Sequence, residues 1–136
     1  MDDSFIFTLA LKPEPEALPI ARETAELALK TWGLCERRVY EGKLVVNELV
    51  TNAVQNSPVG GEITLRMFLC DHDVPVVEVW DDSDLLPAPQ PDDLNATSGR
   101  GLNLVDYFVR RWGSTPVAGG GKVVWAALEV AGGFNP

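Results

Sequence analysis

The apolar positions of this chain fall into stretches of two distinct periods. From Ser4 to Leu11 they alternate with polar ones, which predicts a strand, and the segment KPEPEALP breaks it. Ala21, Ala25, Ala28, Leu29 and Trp32 then recur at helical spacing and predict an amphipathic helix closed by Gly33. A second helix is predicted over roughly Glu36 to Asn56, stopped at Ser57-Pro58 with Gly60-Gly61 beyond. EITLRMFLC and VPVVEVW both alternate with period two, so Asp71-His72-Asp73 between them reads as a hairpin turn. The stretch from Asp81 to Gly101 is rich in Pro, Asp and Gly and has no period; a loop of that length in a small domain is usually functional or disordered. Leu102, Val105, Phe108, Val109 and Trp112 share one helical face and predict a third helix. Two last strands, around Thr115 to Val117 and Val123 to Val130, flank the turn Gly119-Gly120-Gly121.

The order β-α-α-β-β-loop-α-β-β, with neighbouring strands joined by tight turns, implies an α+β fold. The expected form is a two-layer sandwich: a mixed, mostly antiparallel sheet covered on one face by about three helices. No repeat or linker divides the chain, so residues 1–136 read as a single domain.

Composition narrows the function classes. The chain is 46% hydrophobic and 23% charged, the balance of a soluble globular protein. No apolar run is long enough to cross a bilayer, and MDDSFIFTLALKPEPE lacks the basic start and small-residue cleavage site of a signal peptide, so a cytoplasmic protein is expected. The formal net charge of −9 leaves no basic footprint for nucleic acid or an acidic membrane. A polyanion such as a nucleotide would need a local pocket and a divalent cation. Cys35 and Cys70 show no metal-ligand spacing and are expected to be free, reduced and buried.

Most chemical templates fail. GGGKV does not complete a phosphate-binding loop, because Pro116 stands where the first glycine must and Val123 where Ser or Thr must. His72 is the lone histidine, which argues against a histidine triad or a multi-histidine metal site. Three pieces remain. In GKLVVNELVTNAVQNS, Glu48, Asn52 and Asn56 stack along one helical face opposite the apolar stripe. Such a face is ordinarily a solvated one, yet a carboxylate and a carboxamide oxygen are also hard ligands suited to Mg²⁺. Asp81 ends a strand. Gly99-Arg100-Gly101 enters a helix, where backbone N–H groups and the helix dipole favour a phosphate.

Taken in order, Glu48-Leu49-Val50-Thr51-Asn52-Ala53, then Val79-Trp80-Asp81-Asp82-Ser83 with Pro87, then Ser98-Gly99-Arg100-Gly101-Leu102-Asn103-Leu104-Val105 resemble the N box and two glycine boxes of the GHKL ATPases. The similar branch is the small bacterial one that contains anti-sigma-factor serine kinases. Arg111-Trp112-Gly113 and Gly120-Gly121-Lys122-Val123-Val124-Trp125 fit it as well. The resemblance implies that Asn52 is a Mg²⁺ ligand beside the triphosphate of ATP and that Glu48 is a general base. It implies that Asp81 hydrogen-bonds the adenine amino group, with Ser83 beside it. Gly99, Arg100, Gly101 and Leu102 would hold the phosphates beneath a lid at roughly 85–98. The sequence departs from the wider pattern at Ser83, where Asp-x-Gly has its glycine, at Asn103, the third glycine of its box, and at Val123, where many relatives place a Thr on the adenine side.

The implied activity is phosphorylation of a STAS-type anti-sigma-factor antagonist, with binding of a sigma factor and a possible homodimer. The alternative is a non-catalytic ATP-binding module that docks a partner. Glu48 favours the first, and the altered adenine side favours the second. A third possibility, a nucleotide-free interaction domain, requires the cleft to be empty or blocked, for instance by Trp80.

Overall fold

A computed structural model describes residues 6–70, 73–83 and 105–136. Its elements are β1 (Ile6–Leu11), α1 (Ala17–Thr31), α2 (Glu36–Asn56), β2 (Ile63–Cys70), β3 (Val74–Asp81), β4 (Val109–Pro116) and β5 (Lys122–Leu128). The five strands form one sheet in the order β1-β2-β3-β5-β4, and every neighbouring pair is antiparallel. The α+β sandwich is therefore as expected, but the sheet is antiparallel throughout rather than mixed. Among the described residues two helices cover it, and none is long and apolar enough to cross a membrane.

Both helices end for identifiable reasons. Beyond α1, Gly33 takes φ +84°. Its N–H reaches the Lys30 carbonyl and the Leu34 N–H reaches that of Leu29, so two carbonyls left over at the helix end are satisfied. α2 stops where Ser57, the residue before Pro58, is forced extended at ψ 143°. Ala21, Ala25 and Ala28 give α1 a small-residue inner stripe, fully buried. Gly42 of α2 packs directly against it, so that an added Cβ would run into the Leu29 side chain. The inner sheet face supplies the rest of the core through Ile63, Leu65, Met67, Val77, Val79, Val124 and Ala126. These are alternate residues, as a half-buried sheet requires.

The third helix is corrected at its far end: Val105 is helical as expected, but the helix does not continue to Trp112. Val109 and Trp112 belong to β4, not to a helix. Val109 pairs with Leu128 and Arg111 with Ala127, so one extra residue, Arg110, is bulged out. The bulge puts Val109 and Trp112, three positions apart, on the same inward face. Spacing of three is the helical signature, and a bulged strand has imitated it. The cysteines also differ from expectation: both are free, but Cys35 is only half-buried and Cys70 is exposed. Asp71 and His72 lie outside the described residues; around them Cys70 pairs with Val74, as the hairpin requires.

In the β4–β5 turn, Gly119, Gly120 and Gly121 all have positive φ. A Cβ on Gly119 would meet nothing within 4 Å, whereas one on Gly121 would lie 2.3 Å from the Asp81 carbonyl oxygen. Gly119→Ala is therefore expected to cost only the left-handed backbone penalty, about 1–2 kcal/mol. Gly121→Ala must also push β3 and β5 apart and should cost clearly more. Urea denaturation of the two variants compares them, and equal losses would show that the close approach at Gly121 carries no weight.

Candidate functional site

The C-terminal end of α2 and two strand ends lie at one end of the sheet. Six residues separate the end of α2 from the start of β2, so the last turns of α2 and the first residues of β2 share that end. Antiparallel pairing puts the last residue of β3, Asp81, opposite the first residue of β5, Lys122.

The polar face of α2 divides on inspection. Asn56 is spent: its Nδ2 donates back to the Asn52 carbonyl at 2.8 Å. Asn47 is spent too, accepting from Arg22 at 2.8 Å. Asn52 is not. Its Oδ1 is buried and has no hydrogen-bond partner. Glu48, one turn earlier and half-buried, is reached by no ion pair among the described residues. Asn52 and Glu48 are residues to which the sequence reading gave metal and proton roles; Ser57 Oγ, just past the helix, is also buried without a partner.

At the strand ends, Asp81 and Lys122 form an ion pair with side-chain exposures of 0% and 1%. Lys122 Nζ lies 3.0 Å from each carboxylate oxygen. Only the Oδ1 approach has hydrogen-bonding angles; Oδ2 is near the charge but has no donor directed at it. The Ser83 N–H also donates to Oδ1, at 2.8 Å, which makes a tight turn and fixes the carboxylate. Asp82 turns the other way and accepts from the Glu62 N–H at 2.9 Å, tying the start of β2 to the end of β3. Gly121 passes against the Asp81 carbonyl, so the backbone carrying Lys122 sits as near to Asp81 as a chain can.

Two sequence assignments change. Val123 stands opposite Trp80 on the face of the sheet away from the helices, so it does not line the Asp81 side. The inward neighbour of Asp81 is Lys122, a residue to which the sequence reading gave no role. Its signal was available: Lys122, Val124, Ala126 and Leu128 alternate inward along β5, and a lysine in that series is rarely tolerated without a partner. Trp80 is 37% exposed on the outer face and its Nε1 donates to Glu78. It does not block an inward cleft. Gly99, Arg100, Gly101, Leu102, Asn103 and the lid at 85–98 lie outside the described residues.

A cavity of about 660 Å³ opens beside this end of the sheet, between Ala10–Glu14 and Val59–Glu62. It holds none of the candidate residues. The described residues contain no cluster of three or more His, Cys, Asp or Glu able to hold a metal. A cation here would have to take most of its oxygens from a ligand and water, which is how Mg²⁺ is ordinarily bound with phosphates. The orphaned Asn52 oxygen fits that role.

The histidine kinase-like ATPase domain model matches residues 11–128. Among solved structures, the chain is similar to the RsbU and RsbW domains of Rv1364c from Mycobacterium tuberculosis. The two are 17% identical with a TM-score of 0.69, over 91% of this chain and 32% of that one. It is also similar to the mycobacterial sensor histidine kinase MprB, at 16% identity and TM-score 0.53, over 88% of this chain and 97% of that one. At these identities the likeness is one of fold, and this chain spans about a third of the length of the first structure. No curated protein sequence gives a significant match.

Removing one member of a buried ion pair strands the other. Lys122→Met should therefore lower stability by about 3–5 kcal/mol. Asp81→Asn combined with Lys122→Met should recover most of the loss, since no bare charge remains. Denaturant titration measures both, and a single variant as stable as the wild type would show that the pair is not sealed as described.

Proposed function

This chain belongs to the histidine kinase-like ATPase domain family, and on that premise we propose that it is a Mg-ATP-dependent serine/threonine protein kinase acting in regulation. The family implies an ATP site. The observation that carries the proposal further is the pair of unspent oxygens on α2: the buried Asn52 Oδ1 without a partner and the Glu48 carboxylate without an ion pair, one helical turn away.

Each residue has a separate task. Asn52 would supply the protein's oxygen to Mg²⁺, which when bound neutralises charge on the phosphates. Glu48 would accept the proton of a substrate hydroxyl as that oxygen bonds to the γ-phosphorus and the bond to the β-phosphate oxygen breaks, leaving ADP. Asp81 would accept a hydrogen bond from the adenine amino group. Gly99, Arg100, Gly101 and Leu102 would face the phosphates beneath the lid. The partner proposed is a STAS-type anti-sigma-factor antagonist, a sigma factor being bound when the antagonist is absent, and the active species a homodimer. A net charge of −9 accords with a protein rather than a nucleic-acid partner.

Binding and chemistry are expected to separate by residue. Asn52→Ala should weaken Mg-ATP binding in titration calorimetry and lower phosphate transfer with it. Glu48→Gln keeps the shape and removes the charge. It should bind Mg-ATP as the wild type does while transfer of radiolabelled phosphate to the antagonist falls by about 10²–10⁴-fold. Wild-type transfer by Glu48→Gln would refute the general-base role. Wild-type binding without transfer to any partner would leave a regulatory ATP-binding module in place of a kinase.

A further inference from the structure

Lys122 is the buried charged group that the proposed reaction does not use. Its side chain is 1% exposed, at the inward end of β5. A lysine there is expensive, and well-packed apolar residues in place of a buried ion pair are often as stable or more so. Stability alone therefore does not account for it.

The geometry of the pair is lopsided. Asp81 Oδ1 receives both the Ser83 N–H at 2.8 Å and Lys122 Nζ at 3.0 Å. Oδ2, equally closed to solvent, has no donor in hydrogen-bonding geometry, and a buried carboxylate oxygen left that way is costly. The ammonium carries three protons, and Asp81 is its one acceptor among the described residues. Oδ2 and the ammonium thus attract each other as charges at 3.0 Å while neither spends a directed hydrogen bond on the other. A ligand edge that offers a donor next to an acceptor satisfies both at once. The amidine edge of adenine does so, with its 6-amino group as donor and N1 as acceptor.

We propose that Lys122 is a base-recognition residue, its Nζ donating to adenine N1 while the 6-amino group donates to Asp81 Oδ2. The proposal deepens the ATP reading and rests on it. It replaces the water-mediated contact that a threonine would make, because the neighbouring Val123 faces away. It also gives selectivity a direct cause. Guanine offers a carbonyl at position 6 and an N–H at position 1, the same two groups in reverse order. It could match the pair only by turning over, which would carry its ribose and phosphates away from α2.

Two nucleotide analogues and one variant test this by titration calorimetry with Mg²⁺. 1-Deaza-ATP keeps the amino group and loses the N1 acceptor; purine riboside triphosphate does the reverse. Wild type should bind each roughly 10-fold or more weaker than ATP, the loss of one charge-assisted hydrogen bond. In Lys122→Met the gap between ATP and 1-deaza-ATP should close, while the gap for purine riboside triphosphate remains. Should Lys122→Met fail to fold, nitrogen-15 NMR of the wild-type Lys122 ammonium gives the same answer: its resonance should move on binding ATP and not on binding 1-deaza-ATP. A 1-deaza-ATP penalty that is unchanged by Lys122→Met, or an ammonium resonance identical in both complexes, overturns the role of Lys122 and leaves the ATP site standing. A folded wild type that binds no ATP overturns the ATP reading, and this proposal falls with it.

Discussion

An ammonium and a carboxylate 3.0 Å apart, both shut away from water, set the terms for this end of the molecule. Neither charge survives there without the other, so the ends of β3 and β5 must stay in register. A slip of one residue would turn Lys122 to the outer face and bring Val123 beneath the helices. Gly121 enforces the contact from the backbone side, since its missing side chain lets β5 begin against the Asp81 carbonyl. Ser83 enforces it from the other side by holding Oδ1. The pair is thus over-determined by covalent geometry around it, which is how a polar constellation is kept rigid without a large apolar mass of its own.

α2 is held in place by a different route. It is long, it is anchored through Val46, Leu49, Val50 and Ala53, all nearly inaccessible, and its close approach to α1 at Gly42 leaves it little freedom to shift. A helix fixed so firmly can present a mediocre helix former without losing order. Most of its polar side chains are consumed locally: Thr51 bonds the Asn47 carbonyl and Asn56 that of Asn52. Asn52 is an exception, its Oδ1 buried without a partner, and Glu48 makes no ion pair among the described residues. Buried polar atoms without a partner thus occur on Asn52, on Ser57 at the end of α2 and on Asp81 at the end of β3, while the inner sheet face is almost wholly apolar.

Much of this was legible in the sequence, and the failures have physical causes. α2 was placed at its observed ends because its punctuation is strong, with Pro58 forcing the stop. β2 and β3 were legible because strict alternation has no helical counterpart. The helix expected through Val109 and Trp112 failed because a β-bulge adds one residue and converts a spacing of two into three. Lys122 was missed because the strand was expected to begin at Val123, one residue later, which left Lys122 in the glycine turn and outside the inward series Lys122, Val124, Ala126 and Leu128. The resemblance ordered Glu48, Asn52 and Asp81 along the chain, but the state of their oxygens was not legible, because hydrogen-bond satisfaction is a property of the folded neighbourhood.

The central claim is that the ends of β3 and β5, together with the last turns of α2, form one nucleotide pocket. Amide-resolved NMR of the wild-type protein during titration with Mg-ATP tests it most directly. The account requires the amides of Asn52, Ser83, Gly121 and Lys122 to shift together along a single binding curve, while those on the outer sheet face at Phe68 and Val76 stay in place. Shifts confined to the neighbouring groove of Ala10–Glu14 and Val59–Glu62, or no shift at any of the four amides, would contradict it.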